Sequence, residues 1–221
     1  MSISVKNTGD GSPTLFNSEL NEHYHSIHGA LTESLHVFIK NGFHPTLASF
    51  GKKFQVLEVG FGTGLNATLT ATESAKNLCA IQYLALEPYP VADGLLCELK
   101  YEQILEENQQ LDFKKIHAAK WEEAVSVNPH FHIEKTIKGI LEFQTPKLFH
   151  LIYFDAFAPE KQPDMWTMEV LQKCYGLLEP GGIFITYCAK GQFKRDLKQC
   201  GFKVENRPGP PFKREITFAT K

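Results

Sequence analysis

Between residues 56 and 66 the chain reads VLEVGFGTGLN, and an acid, Glu58, stands just ahead of three alternating glycines, Gly60, Gly62 and Gly64. The β-branched and aromatic run at 54–59 predicts a buried strand, and the glycines let the backbone turn tightly and approach a ligand where any Cβ would clash. A helix is expected to begin near Leu65. A dinucleotide-binding turn reads G-x-G-x-x-G and seats a pyrophosphate on the N-terminus of its helix. Here Leu65 falls where the third glycine of that pattern belongs. An acid at the strand end repels a pyrophosphate and welcomes a positively charged group. A plain tight turn and a nucleotide-binding loop are the other readings of the same letters.

At 221 residues the chain has room for one well-cored α/β domain, expected over 51–221, with 1–50 as an N-terminal extension that forms a flap over the site. Strands are predicted at 54–59, 81–87, 113–117, 149–155, 183–188, 203–206 and 214–219, and helices after the turn, over 91–107, from Asp164 through Met168 and Leu177, and over 192–199. Asp164 is the expected cap of the third of these helices. The last two strands have no helix between them and predict an antiparallel hairpin at the sheet edge. The expected architecture is a doubly wound α/β sheet of seven strands, mostly parallel.

No apolar run approaches the length that crosses a bilayer, and the first residues, MSISVKNTGDGSPT, have neither the basic start nor the apolar core of a secretory signal, so a cytoplasmic protein is expected. The five cysteines form no C-x-x-C pair, which fits reduced structural thiols. A formal charge of −2 argues against a general nucleic-acid binder. The segment 187–221 is distinctly basic all the same, and a solvated helix and strand face is its plain explanation. His23, His25 and His28 lie close together, but no acid or cysteine accompanies them at a metal-binding spacing, so no metal site is expected.

In open parallel sheets, ligands sit beyond the carboxyl ends of the strands near the point where strand order reverses. Glu58, Glu87 and Asp155 end three of the predicted strands and so should face one crevice. Glu87 follows the glycine turn at about the spacing of a ribose-binding acid, with a helix cap or surface acid as the alternative. Lys120 and Trp121 fall near the end of the predicted 113–117 strand, where an adenine would lie, although Trp121 also suits the core. Asp155 opens the loop DAFAP. A carboxylate there can hold an ammonium and accept its proton, and Phe157 can stack on a flat base; a capped loop with Phe157 in the core is the alternative.

The turn E-x-G-x-G-x-G resembles the first motif of the Rossmann-like methyltransferases, whose cofactor, S-adenosyl-L-methionine, carries both an ammonium and a sulfonium. Taken with YHSIHGALTES, LEPYP, FDAFAPEKQPDMWT, GGIFITYCAKG and PFKREITFA, the chain is similar over nearly its whole length to the methyltransferase domain of the MnmC family. That resemblance implies methylation of 5-aminomethyl-2-thiouridine at the tRNA wobble position to 5-methylaminomethyl-2-thiouridine. It further implies that Asp155 handles the amine, Glu87 the ribose, and Glu58 with Gly60, Gly62 and Gly64 the methionine end. Tyr24 and Glu33 would line the site, and Lys213 and Arg214 would meet tRNA phosphates. Bifunctional members of the family carry an FAD-dependent oxidoreductase domain that this sequence lacks, so either a separate enzyme or another route is expected to supply the aminomethyl group. A small-molecule amine methyltransferase, an aminopropyl transferase of the spermidine-synthase type and a silent RNA-binding module are the competing readings. The basic C-terminus speaks against a polyamine pocket, which acids should ring.

Overall fold

The structure, a computed structural model, describes residues 3–221. Three short strands, β1 (Ile3–Asn7), β2 (Pro13–Asn17) and β3 (Glu22–His23), form a small antiparallel sheet ahead of the domain. A helical rod then runs without a break through α1 (Ala30–Ser34), a π-helical stretch (Leu35–Phe43) and α2 (His44–Phe50). Asp10, in the β1–β2 turn, pins the small sheet to this rod. Its carboxylate accepts hydrogen bonds from the Ser12 N–H at 3.0 Å and from the N–H and hydroxyl of Thr32 at 2.9 and 2.7 Å. Burial works against the charge, yet the bonds from Ser12 and Thr32 hold this carboxyl far below the ordinary range. The rod lies hard against the central sheet at Gly42, where a Cβ would come within 2.9 Å of the Tyr153 ring.

The remaining elements begin with β4 (Lys53–Val59), α3 (Leu65–Asn77), β5 (Ala80–Leu86), α4 (Asp93–Glu98), α5 (Glu107–Ala118), β6 (Ala124–Asn128), β7 (Phe131–Thr136) and β8 (Phe149–Phe154). After them come α6 (Met168–Leu177), β9 (Leu178–Thr186), α7 (Gly191–Gln199), β10 (Lys203–Pro208) and β11 (Glu215–Thr220). The central sheet has the order β10-β11-β9-β8-β4-β5-β7-β6. The inner strands from β9 to β7 are parallel, while β11 runs against β9 and pairs antiparallel with β10, which is the expected C-terminal hairpin. The mostly parallel α/β reading holds, with one strand more than the seven expected.

Two cores explain why the inner strands are apolar throughout. Phe54 and Val56 of β4, with Tyr153 of β8 and Ile185 of β9, join the core under the helical rod, α3 and α5. Leu57 and Val59, with Ile152, Phe154 and Phe184, join the one under α6 and α7. Each strand therefore buries both faces, as a sheet covered by helices on two sides must.

Three predicted elements are corrected. Residues 113–117 belong to α5, and the strand beside β5 is β7, with β6 folded back on it as the eighth strand. Phe113, Ile116 and His117 read as a short apolar strand but fit a helix face, with Phe113 and His117 four residues apart and in ring contact at 4.3 Å. The predicted helix over 91–107 is interrupted: α4 ends at Glu98, Lys100 takes a left-handed conformation, and α5 starts at Glu107. Finally, Thr167 rather than Asp164 caps α6, its hydroxyl accepting the Val170 N–H at 3.4 Å.

Candidate active site

The sheet reverses direction of growth at β4, with β5 on one side and β8 on the other, and a cavity of about 1010 Å³ opens beyond the carboxyl ends of these strands. Gly60, Gly62 and Gly64 all take positive φ, at 91°, 52° and 72°, so the turn has the backbone that glycine accepts most easily. Gly60 also meets a hard steric limit, since a Cβ there would lie 2.5 Å from the Asp155 carbonyl oxygen. The turn and the β8 loop thus approach as closely as two backbones can.

Glu87 follows β5 and stands on the cavity wall. The Gly62 N–H donates to its Oε2 and the Tyr89 N–H to its Oε1, both at 3.0 Å. Each carboxylate oxygen keeps lone-pair capacity for a further donor, which is the need of two vicinal hydroxyls. Burial raises the Glu87 carboxyl, and the two backbone bonds oppose the rise.

Asp155 also lines the cavity, at the end of β8. Burial first, and the neighbouring Glu33 charge second, push its carboxyl up to about 7, against the hydrogen bond from Asn66 and the charge of Lys213. Asn66, on the first turn of α3, donates from its one Nδ2 to Asp155 Oδ2 at 2.9 Å and to Glu58 Oε1 at 3.1 Å. Glu58 does not reach the cavity wall. It is wholly buried one layer below, its Oε2 has no hydrogen-bond partner, and burial pushes its carboxyl well above the carboxylate range. Glu58 there holds the amide that in turn orients Asp155.

Glu33, from α1, and Lys213, from the β10–β11 turn, meet across the cavity at 3.0 Å. Glu33 Oε2 accepts the Ser26 N–H at 2.8 Å, and Lys213 Nζ lies 4.3 Å from the centre of the Tyr187 ring. Lys213 is therefore engaged inside the site, whereas Arg214 is exposed and has no ion pair among the described residues. Tyr24 and Phe157 line the same cavity and meet edge to face, 5.0 Å between centroids at 82°. Burial and the Glu87 charge push the Tyr24 hydroxyl up to about 12, so it remains a neutral donor.

The residues expected around an adenine are not gathered here. Lys120 is exposed and pairs with Glu123 at 3.6 Å. Trp121 lines a separate small pocket and has Lys135 Nζ over its ring at 5.0 Å. With β7 as the neighbouring strand, the cavity wall at that point is formed by Gly139 and Ile140 instead. His25 is on the cavity wall, but it bonds Thr14 Oγ1 through Nδ1 at 3.0 Å, and burial lowers it to about 4. His23 packs its ring on Phe16 and His28 on Phe212. Among the described residues, no three His, Cys, Asp or Glu side chains gather to hold a metal ion, and no helix is long and apolar enough to cross a membrane.

Sequence reasoning missed Asn66 and Tyr187. Asn66 lay inside the fragment LEVGFGTGLN, and its two amide protons were the only hint that one side chain could serve two carboxylates. Tyr187 directly follows β9 and lines the cavity with its hydroxyl donated to the Ala156 carbonyl at 2.9 Å. The rule that ligands gather at strand ends would have found it, applied to one more strand.

Residues 98–221 match the model of a family described as S-adenosyl-L-methionine-dependent methyltransferase. The chain is similar to the tRNA 5-methylaminomethyl-2-thiouridine biosynthesis bifunctional protein MnmC of Hydrogenovibrio crunogenus, with 29% identity over 95% of this chain and 32% of that protein. The protein of the same name from Cupriavidus necator is 28% identical over 89% of this chain and 31% of its own length. The chain thus spans about a third of the length of the curated relatives it matches. MnmC2 from Aquifex aeolicus has a similar fold, with a TM-score of 0.82 at 21% identity over 99% of this chain and 69% of that one.

Proposed function

The chain belongs to the S-adenosyl-L-methionine-dependent methyltransferase family, and from that premise we propose that it methylates the aminomethyl nitrogen of 5-aminomethyl-2-thiouridine at the wobble position of tRNA, giving 5-methylaminomethyl-2-thiouridine. The observation that carries the proposal is one cavity holding the glycine turn, Glu87, a carboxyl held near neutrality at Asp155 and the paired rings of Tyr24 and Phe157. The name borne by relatives that align with as much as 95% of the chain supports the choice of acceptor.

The site fits the family's cofactor. Gly60 and Gly62 put a turn of positive φ on the cavity wall, Glu87 presents a carboxylate with spare acceptor capacity, and the cavity is at the upper end of the roughly 300–1,000 Å³ usual for small-molecule sites. When bound, S-adenosyl-L-methionine supplies an electrophilic methyl group on a sulfonium. Glu87 would accept from the ribose hydroxyls, the backbone of Gly60, Gly62 and Gly64 would lie along the methionine end, and the wall at Gly139 and Ile140 would take the adenine in place of Lys120 and Trp121. Glu58 acts at one remove, through Asn66.

Asp155 does the acid–base work. An aminomethyl group is mostly protonated near neutral pH, and its nitrogen needs a free lone pair. A carboxylate with acidity near 7 attracts the ammonium and takes its proton without being so strong an acid that it refuses it. Phe157 and Tyr24 offer aromatic surface to the flat uracil ring. Residues 1–50 bring Tyr24 and Glu33 to the site and so act as its flap, over a methyltransferase domain at 51–221. The reading places the protein in the cytoplasm with its tRNA.

The test is transfer of labelled methyl from S-adenosyl-L-methionine to tRNA carrying 5-aminomethyl-2-thiouridine, with unmodified tRNA and free polyamines as parallel acceptors. Label confined to the aminomethyl tRNA is expected. Label in polyamine, or in unmodified tRNA at the same rate, would overturn the acceptor.

A further inference from the structure

The β10–β11 turn exposes an aromatic ring in a costly conformation. Phe212 is 83% exposed and takes φ of 68°, a left-handed backbone that bulky side chains rarely adopt. The turn that imposes it is well tied. Pro208, Pro210 and Pro211 stiffen it, the Gly209 N–H donates to the Arg214 carbonyl at 3.2 Å, and the Lys213 N–H donates to the Pro210 carbonyl at 3.0 Å. A ring nitrogen of His36 also bonds the Pro208 carbonyl at 2.8 Å.

One face of the Phe212 ring lies on His28, with centroids 4.6 Å apart and planes 26° from parallel. With that face covered and the residue 83% exposed, the other face is open to solvent. Ile27 and Lys213, the chain neighbours of the two stacked rings, both line the cavity, so the stack stands at its mouth. Lys213 is taken up by Glu33. Arg214 is the cation of this turn left exposed and without an ion pair among the described residues. Exposed aromatic surface beside a free guanidinium, at the mouth of a cavity for a base, suits single-stranded nucleic acid, in which bases stack on rings and phosphates meet arginine.

We propose that the Phe212–His28 stack is a platform for the base next to the modified uridine, with Arg214 contacting the phosphate that joins them. The proposal rests on tRNA being the acceptor. It assigns the phosphate contact to Arg214 alone and leaves Lys213 to the interior of the site.

The experiment uses the full chain with tRNA carrying 5-aminomethyl-2-thiouridine and measures tRNA Kd, KM and kcat, S-adenosyl-L-methionine Kd and thermal stability. Phe212→Gly removes the ring and relieves the left-handed backbone, so it separates folding from binding. It is expected to keep or raise Tm, leave cofactor affinity unchanged, and raise the Kd and KM for tRNA roughly 5- to 100-fold with little change in kcat at saturation. Phe212→Trp should retain wild-type affinity. Arg214→Ala should lower the slope of log affinity against log salt by about 1. An unchanged tRNA Kd in Phe212→Gly overturns the platform, as does loss of self-association in that variant with RNA affinity intact, which would assign the ring to a second copy of the chain. Failure of the acceptor reading shows separately, as absence of methyl transfer to tRNA by the wild-type protein.

Discussion

The two sides of the cavity are made in different ways. The side assigned to the cofactor comes from β4, the glycine turn and the end of β5, so residues 58–87 supply both its backbone cradle and its carboxylate. The opposite side draws Tyr24 and Glu33 from the chain ahead of β4, Asp155 and Phe157 from the β8 loop, Tyr187 from just after β9 and Lys213 from the last hairpin. Its ion pair, Glu33 to Lys213 at 3.0 Å, joins the two ends of the chain. Short-range backbone geometry fixes the first side, whereas the second exists only once the whole sheet and the rod against it have formed. Damage to the first should therefore act through cofactor affinity, and damage to the second through turnover and pH dependence.

The largest effect is expected from Gly60→Ala. The new Cβ meets the Asp155 carbonyl at 2.5 Å on a backbone of φ 91°, which should cost at least about 2 kcal/mol of stability and abolish cofactor binding, as calorimetry and thermal melting would record. Asp155→Asn should lower kcat by roughly 10²- to 10⁴-fold. It should also raise Tm at pH 8 and leave it nearly unchanged at pH 4. The sign follows from a carboxyl near 7 in the folded protein and close to 4 when unfolded: between those values the native state holds a proton that the unfolded chain has released, so burying the charged form costs stability above pH 7. Glu87→Gln replaces the charged acceptor of two backbone N–H groups and should weaken S-adenosyl-L-methionine binding by roughly 10- to 100-fold.

Smaller effects test the other side. Turnover should rise with pH as Asp155 ionises near 7. Glu33→Gln removes a negative neighbour and should move that midpoint down, whereas Lys213→Met should move it up, in pH profiles of kcat. Lys120→Ala, exposed and clear of the cavity, should change neither cofactor affinity nor rate. A marked loss of cofactor affinity in that variant would restore Lys120 to the adenine side.

The same contrast governs what could be read in advance. Glu87 and the glycine turn were legible because strand, turn and strand-end acid follow in sequence, and Asp155 because β8 is an unbroken apolar run ending in an acid. Residues 113–117 belong to a helix although their apolar letters suit a short strand equally well, and only the pairing of β5 with β7 decides between the two. No pattern in the sequence announces that Lys213 meets Glu33. Much of the C-terminal basicity is likewise met locally: Lys194 pairs with Glu215 at 3.1 Å, Lys190 pairs with Glu160, and Arg207 lies over the Phe218 ring. Counting charges along the chain could not reveal that, since the acids involved come from other elements.

The most direct test of the division between the two sides is to measure S-adenosyl-L-methionine affinity and methyl transfer together for Asp155→Asn and Glu87→Gln. The account predicts that Asp155→Asn binds the cofactor within about 2-fold of wild type while losing nearly all transfer, and that Glu87→Gln loses affinity but regains much of its rate at saturating cofactor. Equal loss of cofactor affinity in both variants, or full turnover in Asp155→Asn, would contradict it.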